Sequence, residues 1–211
     1  MAEMLVYSER RQTALELLSK GTELATALGV TLTAAALGPG AGAGADALGA
    51  AGAERIYVSE DPALEGLQID VVAQALAQIA KENDATCVLL GSTRGGRELA
   101  GRLAQKLDAG CVTDVNGLML EDGALVASRY ALGGATVQRE IVDTPIKVFA
   151  VMPKTFEAGQ GGAGAGEVVT PSLQLLPSFV KVAERRPNEG EAVNLGAAER
   201  IVGVGRGFGK R

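Results

Sequence analysis

The 211-residue chain contains no histidine and no tryptophan, and aromatic residues make up only 3% of it. Without histidine there is no Ser-His-Asp or Cys-His nucleophile pair, no histidine general base and no histidine-ligated metal. The scarcity of aromatics argues against a stacking platform for single-stranded nucleic acid. A net charge of −5 and an isoelectric point near 5.0 argue against a basic nucleic-acid footprint, so no nucleic-acid partner is expected. There are two cysteines, Cys87 and Cys111, both in apolar runs and without CxxC spacing. They read as buried, reduced thiols of a reducing compartment. No signal peptide is visible, and no apolar run is long enough to span a bilayer. A cytoplasmic location is the expectation, or a mitochondrial matrix if the source is eukaryotic.

Ala, Gly, Val and Leu fill the space that aromatics leave, and 47% of the residues are hydrophobic. Residues 4–9 (MLVYSE) form a short apolar run. Apolar positions 14, 17, 18, 24, 25 and 28 then lie on one helical face. Residues 30–37 read as a buried strand, and the Gly/Ala stretch after it leads into a short helix. Residues 55–60 read as a third strand. Ile69, Val72, Leu76 and Ile79 form a second helical stripe, and Leu99, Leu103 and Leu107 a third. Between those stripes, residues 86–92 (TCVLLGS) are apolar throughout, as a central parallel strand should be. Strands alternating with helices imply right-handed crossovers. From residue 111 to 153 there are four strand-like runs and almost no helical pattern. Asp122-Gly123 and Gly133-Gly134 suit tight turns there. The expected fold class is α/β: a Rossmann-like parallel sheet flanked by helices, with added antiparallel strands in the second half.

The composition changes after Pro153. Residues 157–167 read as a flexible Gly-rich linker, and residues 169–187 as extended strands. From Lys181 to the end there are seven Lys or Arg against four Asp or Glu, and 13 against 21 elsewhere, so the tail is locally basic. The expected organisation is an N-terminal α/β domain over 1–153, a linker with extended strands over 154–186, and the truncated start of a second domain over 187–211. Residues 201–204 read as a short strand opening that domain.

Four stretches carry possible chemistry. The loop at 38–45 (GPGAGAGA) follows the second strand and lacks GxGxxG spacing, so it reads as a plain connection rather than a phosphate cradle. The turn at 91–97 ends a central strand. Ser92 or Thr93 can cap the helix that follows, and Arg94, Arg97 and Arg102 add positive charge. Two readings stand there: an anion or nucleotide site at the carboxyl end of the sheet, or arginines paired with Glu98, Asp108, Asp114 or a partner protein. The second is preferred. Thr113 and Asp114 have no base or nucleophile beside them in sequence and read as strand-end hydrogen-bonding groups. The ending GVGRGFG is a Gly-rich turn after a strand. No acid–base pair, nucleophile pair or metal constellation can be assembled.

The order of several of these stretches resembles the alpha subunit of electron transfer flavoproteins. Residues 52–64 (GAERIYVSEDPAL) look like that family's third strand and its following loop. Residues 88–141 look like its Gly-Ser/Thr turn, its Gly-Arg-x-Leu-Ala-x-Arg helix and its Thr-Asp segment. KVFAVMPKTFEAG looks like the close of the first domain, and IVGVGRGFG like the Gly-Arg-Gly turn that opens the FAD domain. The resemblance implies a scaffold half of a heterodimer with a beta subunit. FAD would be held by the complete heterodimer, with none expected on this chain alone. Electrons would pass from dehydrogenases to a quinone reductase or another acceptor, through an electron-carrier subunit rather than an enzyme. Of the family's flavin-proximal positions, only Gly205, Arg206 and Gly207 fall within this chain. The apolar residues of 168–186 (Val168, Val169, Leu173, Leu175, Leu176, Phe179, Val180) are expected to pack across the partner. Two alternatives stand beside this reading. One is a small nucleotide-binding α/β protein of universal-stress type, and the other a cofactor-free assembly subunit of a redox complex.

Overall fold

A computed structural model describes residues 2–65, 68–159, 164–180, 182–184, 186, 195, 198–205 and 207. They fall into two units, residues 1–181 and 182–211. The first unit alternates strand and helix: β1 (Glu3–Tyr7), α1 (Arg11–Leu28), β2 (Thr31–Leu37), α2 (Ala45–Ala50), β3 (Arg55–Ser59), α3 (Ile69–Glu82), β4 (Ala85–Gly91) and α4 (Arg94–Leu107). Five strands follow: β5 (Gly110–Glu121), β6 (Ala124–Ala131), β7 (Thr136–Ile141), β8 (Lys147–Val151) and β9 (Glu167–Val169).

These strands form one sheet in the order β7-β6-β5-β8-β4-β1-β2-β3-β9. From β5 to β9 every neighbouring pair is parallel, whereas β5–β6 and β6–β7 are antiparallel. Period-2 alternation sends successive residues to opposite faces. Met4, Val6 and Leu89 pack under α1 and α2 with Leu17, Leu18 and Leu48. Leu5, Val88 and Leu90 pack under α3 and α4 with Leu76, Ile79, Leu99 and Leu103. Each such leucine contributes about 1.5–3 kcal/mol on leaving water. Both sheet faces are therefore covered along the parallel part, which explains its continuous apolar runs.

The expected turn at Asp122-Gly123 is present. Both residues have positive φ, 49° and 80°, as a two-residue hairpin needs to follow strand twist. Gly133 and Gly134, with φ of 68° and 92°, turn the chain between β6 and β7. The loop at 38–45 is built rather than plain: Ala41–Gly44 form a 3₁₀ turn that runs into α2, and the Gly42 N–H donates to Glu60 Oε1 at 3.0 Å.

Three expectations change beyond Pro153. Glycines at the end of the 157–167 stretch have a packing role. A Cβ on Gly166 would lie 2.4 Å from the Ala53 carbonyl oxygen, and one on Gly49 would lie 2.5 Å from Gly166 N. Among the described residues of 169–187, expected as extended strands, only Val169 belongs to a ladder, as the last residue of β9. Pro171 and Pro177 offer no N–H, and the neighbour that residues 173–179 meet is a helix, not a strand edge. The apolar residues of this stretch divide: Val169, Leu173 and Leu175 pack on the domain's own core, while Val168, Leu176, Phe179 and Val180 are exposed. In the second unit, residues 201–204 are not a strand. They pair with no strand among the described residues, and Ile201, Val202 and Val204 are exposed.

Candidate functional site

Strand order reverses between β1 and β4. The chain leaves β1 toward β2 on one side, and β4 lies on the other. In open α/β sheets, ligands bind beyond the carboxyl ends of the strands at such a point. Here that position is formed by Ser8 and Glu9 after β1, by Gly91, Ser92 and Thr93 after β4, and by Asp114 on β5.

The turn after β4 is dictated by glycine. A Cβ on Gly96 would sit 1.8 Å from the Gly91 carbonyl oxygen, so the first turn of α4 can fold back on the strand end only without one. Thr93 caps α4, its Oγ1 accepting the Gly96 N–H at 2.9 Å. The Thr93 hydroxyl donates to Glu9 Oε1. The carboxylate thus occupies the place beside the helix N-terminus that an anion would take. The Ser92 N–H donates to the Val151 carbonyl at 2.6 Å, closing the loop onto β8.

Asp114 has φ of 55°, a left-handed conformation that Asp tolerates better than most residues. It stands where the pairing of β5 shifts register, between Val112 and Val115 on the β8 side. Ser92 holds it from two directions: the hydroxyl donates to Asp114 Oδ1 at 2.8 Å and accepts the Asp114 N–H at 3.3 Å. Arg97 adds an ion pair at 3.6 Å, and Arg102 pairs with Glu98 at 3.0 Å. The arginines at 97 and 102 therefore have the structural partners expected of them, and Asp114 is a strand-end hydrogen-bonding group. Sequence reading missed Glu9, which meets Thr93 across 84 positions. A charged residue directly after an apolar strand was its one visible trace.

A second polar cluster lies at the opposite end of the sheet. Glu3 is buried, and its carboxylate accepts from Arg55 Nη1 at 2.7 Å, from the Tyr57 hydroxyl at 3.0 Å to each oxygen, and from Thr33 Oγ1 at 3.1 Å. Arg55 Nε also donates to Glu167 on β9 at 3.3 Å. Burial pushes the Tyr57 phenol up, so it remains a donor. Nearby, an open depression of about 180 Å³ is lined by Thr22, Thr26, Leu32, Gly52 and Glu54 among others. It is smaller than the ~300 Å³ at which small-ligand pockets begin. Among the described residues no group of three or more Cys, Asp or Glu could hold a metal. No helix there is long and apolar enough to cross a membrane.

Burial pushes the Cys87 thiol up to about 12 and Cys111 to about 11. Both are free thiols, as expected, Cys87 buried and Cys111 half-buried. Of the three residues expected near flavin, Arg206 lies outside the described residues. Gly205 and Gly207 are exposed, with open space where a Cβ would stand. Beyond β1 and β4, Glu9 bonds to Thr93 and Asp114 to Ser92, so these side chains hydrogen-bond to one another across the strand ends.

A mostly parallel sheet of this order, flanked by helices and with two antiparallel strands added on one edge, is of the Rossmann-like α/β class. The family model of the electron transfer flavoprotein domain matches residues 4–176. The chain belongs to that family. The relatives it resembles include alpha subunits. It is 29% identical to the electron transfer flavoprotein subunit alpha of Thermoanaerobacterium thermosaccharolyticum, over 98% of this chain and 66% of that protein. It is 31% identical to the subunit alpha of Megasphaera elsdenii, over 94% of this chain and 60% of that protein. With the protein FixB of Salmonella typhimurium it shares 28% identity over 76% of this chain and 51% of that protein. The chain thus spans from about half to two thirds of these relatives' lengths.

Proposed function

We propose that this chain is the scaffold part of an electron transfer flavoprotein alpha subunit, an electron carrier that pairs with a beta subunit. FAD would belong to the completed heterodimer, accepting electrons from dehydrogenases and passing them to a quinone reductase or another acceptor. The observation that carries the reading is the similarity to subunits of that name over almost the whole chain. The organisation proposed for it is an N-terminal domain over 1–153, a linker over 154–186, and the opening of the FAD domain over 187–211. In that domain Gly205, Arg206 and Gly207 would approach the flavin. Two small residues flanking an arginine leave the backbone open to a phosphate while supplying positive charge. The chemistry of the flavin is its own, and this chain's part is to position and enclose.

The face offered to the beta subunit is the β5–β7 ribbon. β7 is an edge strand exposed along nearly its whole length. In register, Val137 stands opposite Tyr130 and Ile141 opposite Val126. Met119, Tyr130, Leu132, Val137 and Ile141 are all exposed. Buried Arg129 Nε on the same ribbon makes no hydrogen bond, and Glu140 stands 3.9 Å away. An unpaired edge with an apolar face and an unsatisfied donor is what a monomer avoids and an obligate subunit retains.

The test is co-expression with an electron transfer flavoprotein beta subunit. A stable one-to-one complex is expected, with slowed amide exchange along β7. Replacing Val137 and Ile141 by Asp should weaken it by about tenfold or more. A chain that stays monomeric beside the beta subunit would overturn the reading. The chain purified alone is expected to show no flavin band.

A further inference from the structure

α3 turns a polar stripe toward residues 173–179. Asp70, Gln74 and Gln78 recur every four residues, about 6 Å apart along the helix. Gln174, Leu176 and Ser178 recur every two residues in extended chain, about 6.6–6.8 Å apart. The two repeats nearly match, so each helix side chain meets its own residue of the segment, which runs antiparallel to α3.

Gln78 Nε2 donates to the Gln174 carbonyl at 2.9 Å, and Gln78 Oε1 accepts the Gln174 N–H at 2.9 Å. Gln74 repeats the arrangement at Leu176, donating at 3.3 Å and accepting at 2.9 Å. A primary amide carries one acceptor and a donor side by side, so it reads a residue's C=O and N–H as a neighbouring strand would. At the end the segment presents two donors, and there the helix carries an acid. Asp70 accepts the Ser178 hydroxyl at 2.7 Å and the Phe179 N–H at 3.1 Å. Burial pushes the Asp70 carboxyl up, but these bonds and the Val71 N–H outweigh it and hold it below the usual carboxylate range.

Upstream, the segment is fixed differently. β9 pairs with β3, and Glu167 meets Arg55. Downstream of β9, Leu173 and Leu175 rest half-buried on the core, and the amide bonds of Gln74 and Gln78 are open to solvent. Short apolar anchoring with exposed hydrogen bonds is the signature of a locally opening unit.

We propose that Asp70, Gln74 and Gln78 form a releasable backbone clasp on residues 173–179. The clasp opens as one unit while β9 and the sheet stay in place. Closed, the segment is held on α3 as far as Phe179. Open, the chain is held only as far as Val169, which frees about ten residues, roughly 33–36 Å at full extension. The clasp reads backbone rather than side chains, and it stands independently of the electron-transfer reading.

Amide hydrogen exchange on the full chain tests this, comparing wild type with Gln74→Glu/Gln78→Glu and Gln74→Met/Gln78→Met. In wild type, the Gln174, Leu176 and Phe179 amides should exchange about 10- to 100-fold more slowly than free chain, yet faster than Val88 and Leu90 in β4. Both double variants should accelerate the three amides by about tenfold or more and leave Val88 and Leu90 unchanged. The methionine pair keeps the stem and removes the hydrogen bonds without adding charge. Unchanged exchange in either variant would sink the proposal, as would wild-type amides at 174–179 that open only together with β4.

Discussion

Glu3 is the first residue of β1; β2 and β3 bond its carboxylate, and β9 joins the cluster through Glu167 on Arg55. The Tyr57 hydroxyl is one donor among several, whereas Arg55 carries the balancing charge. Tyr57→Phe should therefore cost about 1–2 kcal/mol in chemical denaturation, and Arg55→Met about 3 kcal/mol. Equal stability of Arg55→Met and wild type would refute the assigned role. The thiols make a separate residue-scale prediction. With Cys111 near 11 and Cys87 near 12, neither becomes thiolate as pH rises through the ordinary cysteine range near 8.5. Alkylation by iodoacetamide at pH 8 should be slow at Cys111 and, at Cys87, should wait for unfolding. Burial of Cys87 was legible from its apolar surroundings, whereas Cys111, expected buried as well, is only half-buried at the start of β5. The Glu3 cluster was not legible, because its partners lie 30 to 54 positions away and a glutamate heading an apolar run looks like a solvated strand end.

At the scale of elements, the helices and the parallel strands could be read from period and apolar run. The boundaries of the first four strands shift by only one or two residues, whereas the helices run three to five residues beyond their apolar stripes. The hairpin at 122–123 was equally legible, since only a few residue pairs adopt two successive positive φ values. What escaped the sequence is how elements touch. Nothing local announces that Gly96 lies against the Gly91 carbonyl. Gly96→Ala should push the start of α4 off the strand end and cost about 3 kcal/mol or more. Gly101→Ala, on the same helix with open space around it, should instead be neutral or stabilising by about 1 kcal/mol. Thermal melts of the two variants check the contrast, and similar shifts in both would show that the close approach is not limiting. The stretch after β9 was misread for the same reason. Its apolar alternation is that of a strand, but its hydrogen-bond partners are glutamine side chains about a hundred positions earlier.

For the whole molecule, the sheet's second half had the right strands without their order. β8, last of the four runs between 111 and 153, inserts between β5 and β4 and displaces the antiparallel pair outward. That insertion leaves β7 as the open edge of the first unit, opposite the edge that β9 covers. Covering of the two edges is thus unequal: one is served by the chain itself, and the other is left for the proposed beta subunit. At the β9 edge, Gly49 and Gly166 touch backbone to backbone across 117 positions, with Ala53 and Ile56 closing the space behind Gly166. A Cβ on Gly49 would meet Gly166, and one on Gly166 would meet the Ala53 carbonyl and the Ile56 side chain. In a drifting lineage a change at Gly49 would have to arrive with a shift of the segment entering β9, and a change at Gly166 with a shift at Ala53 and Ile56.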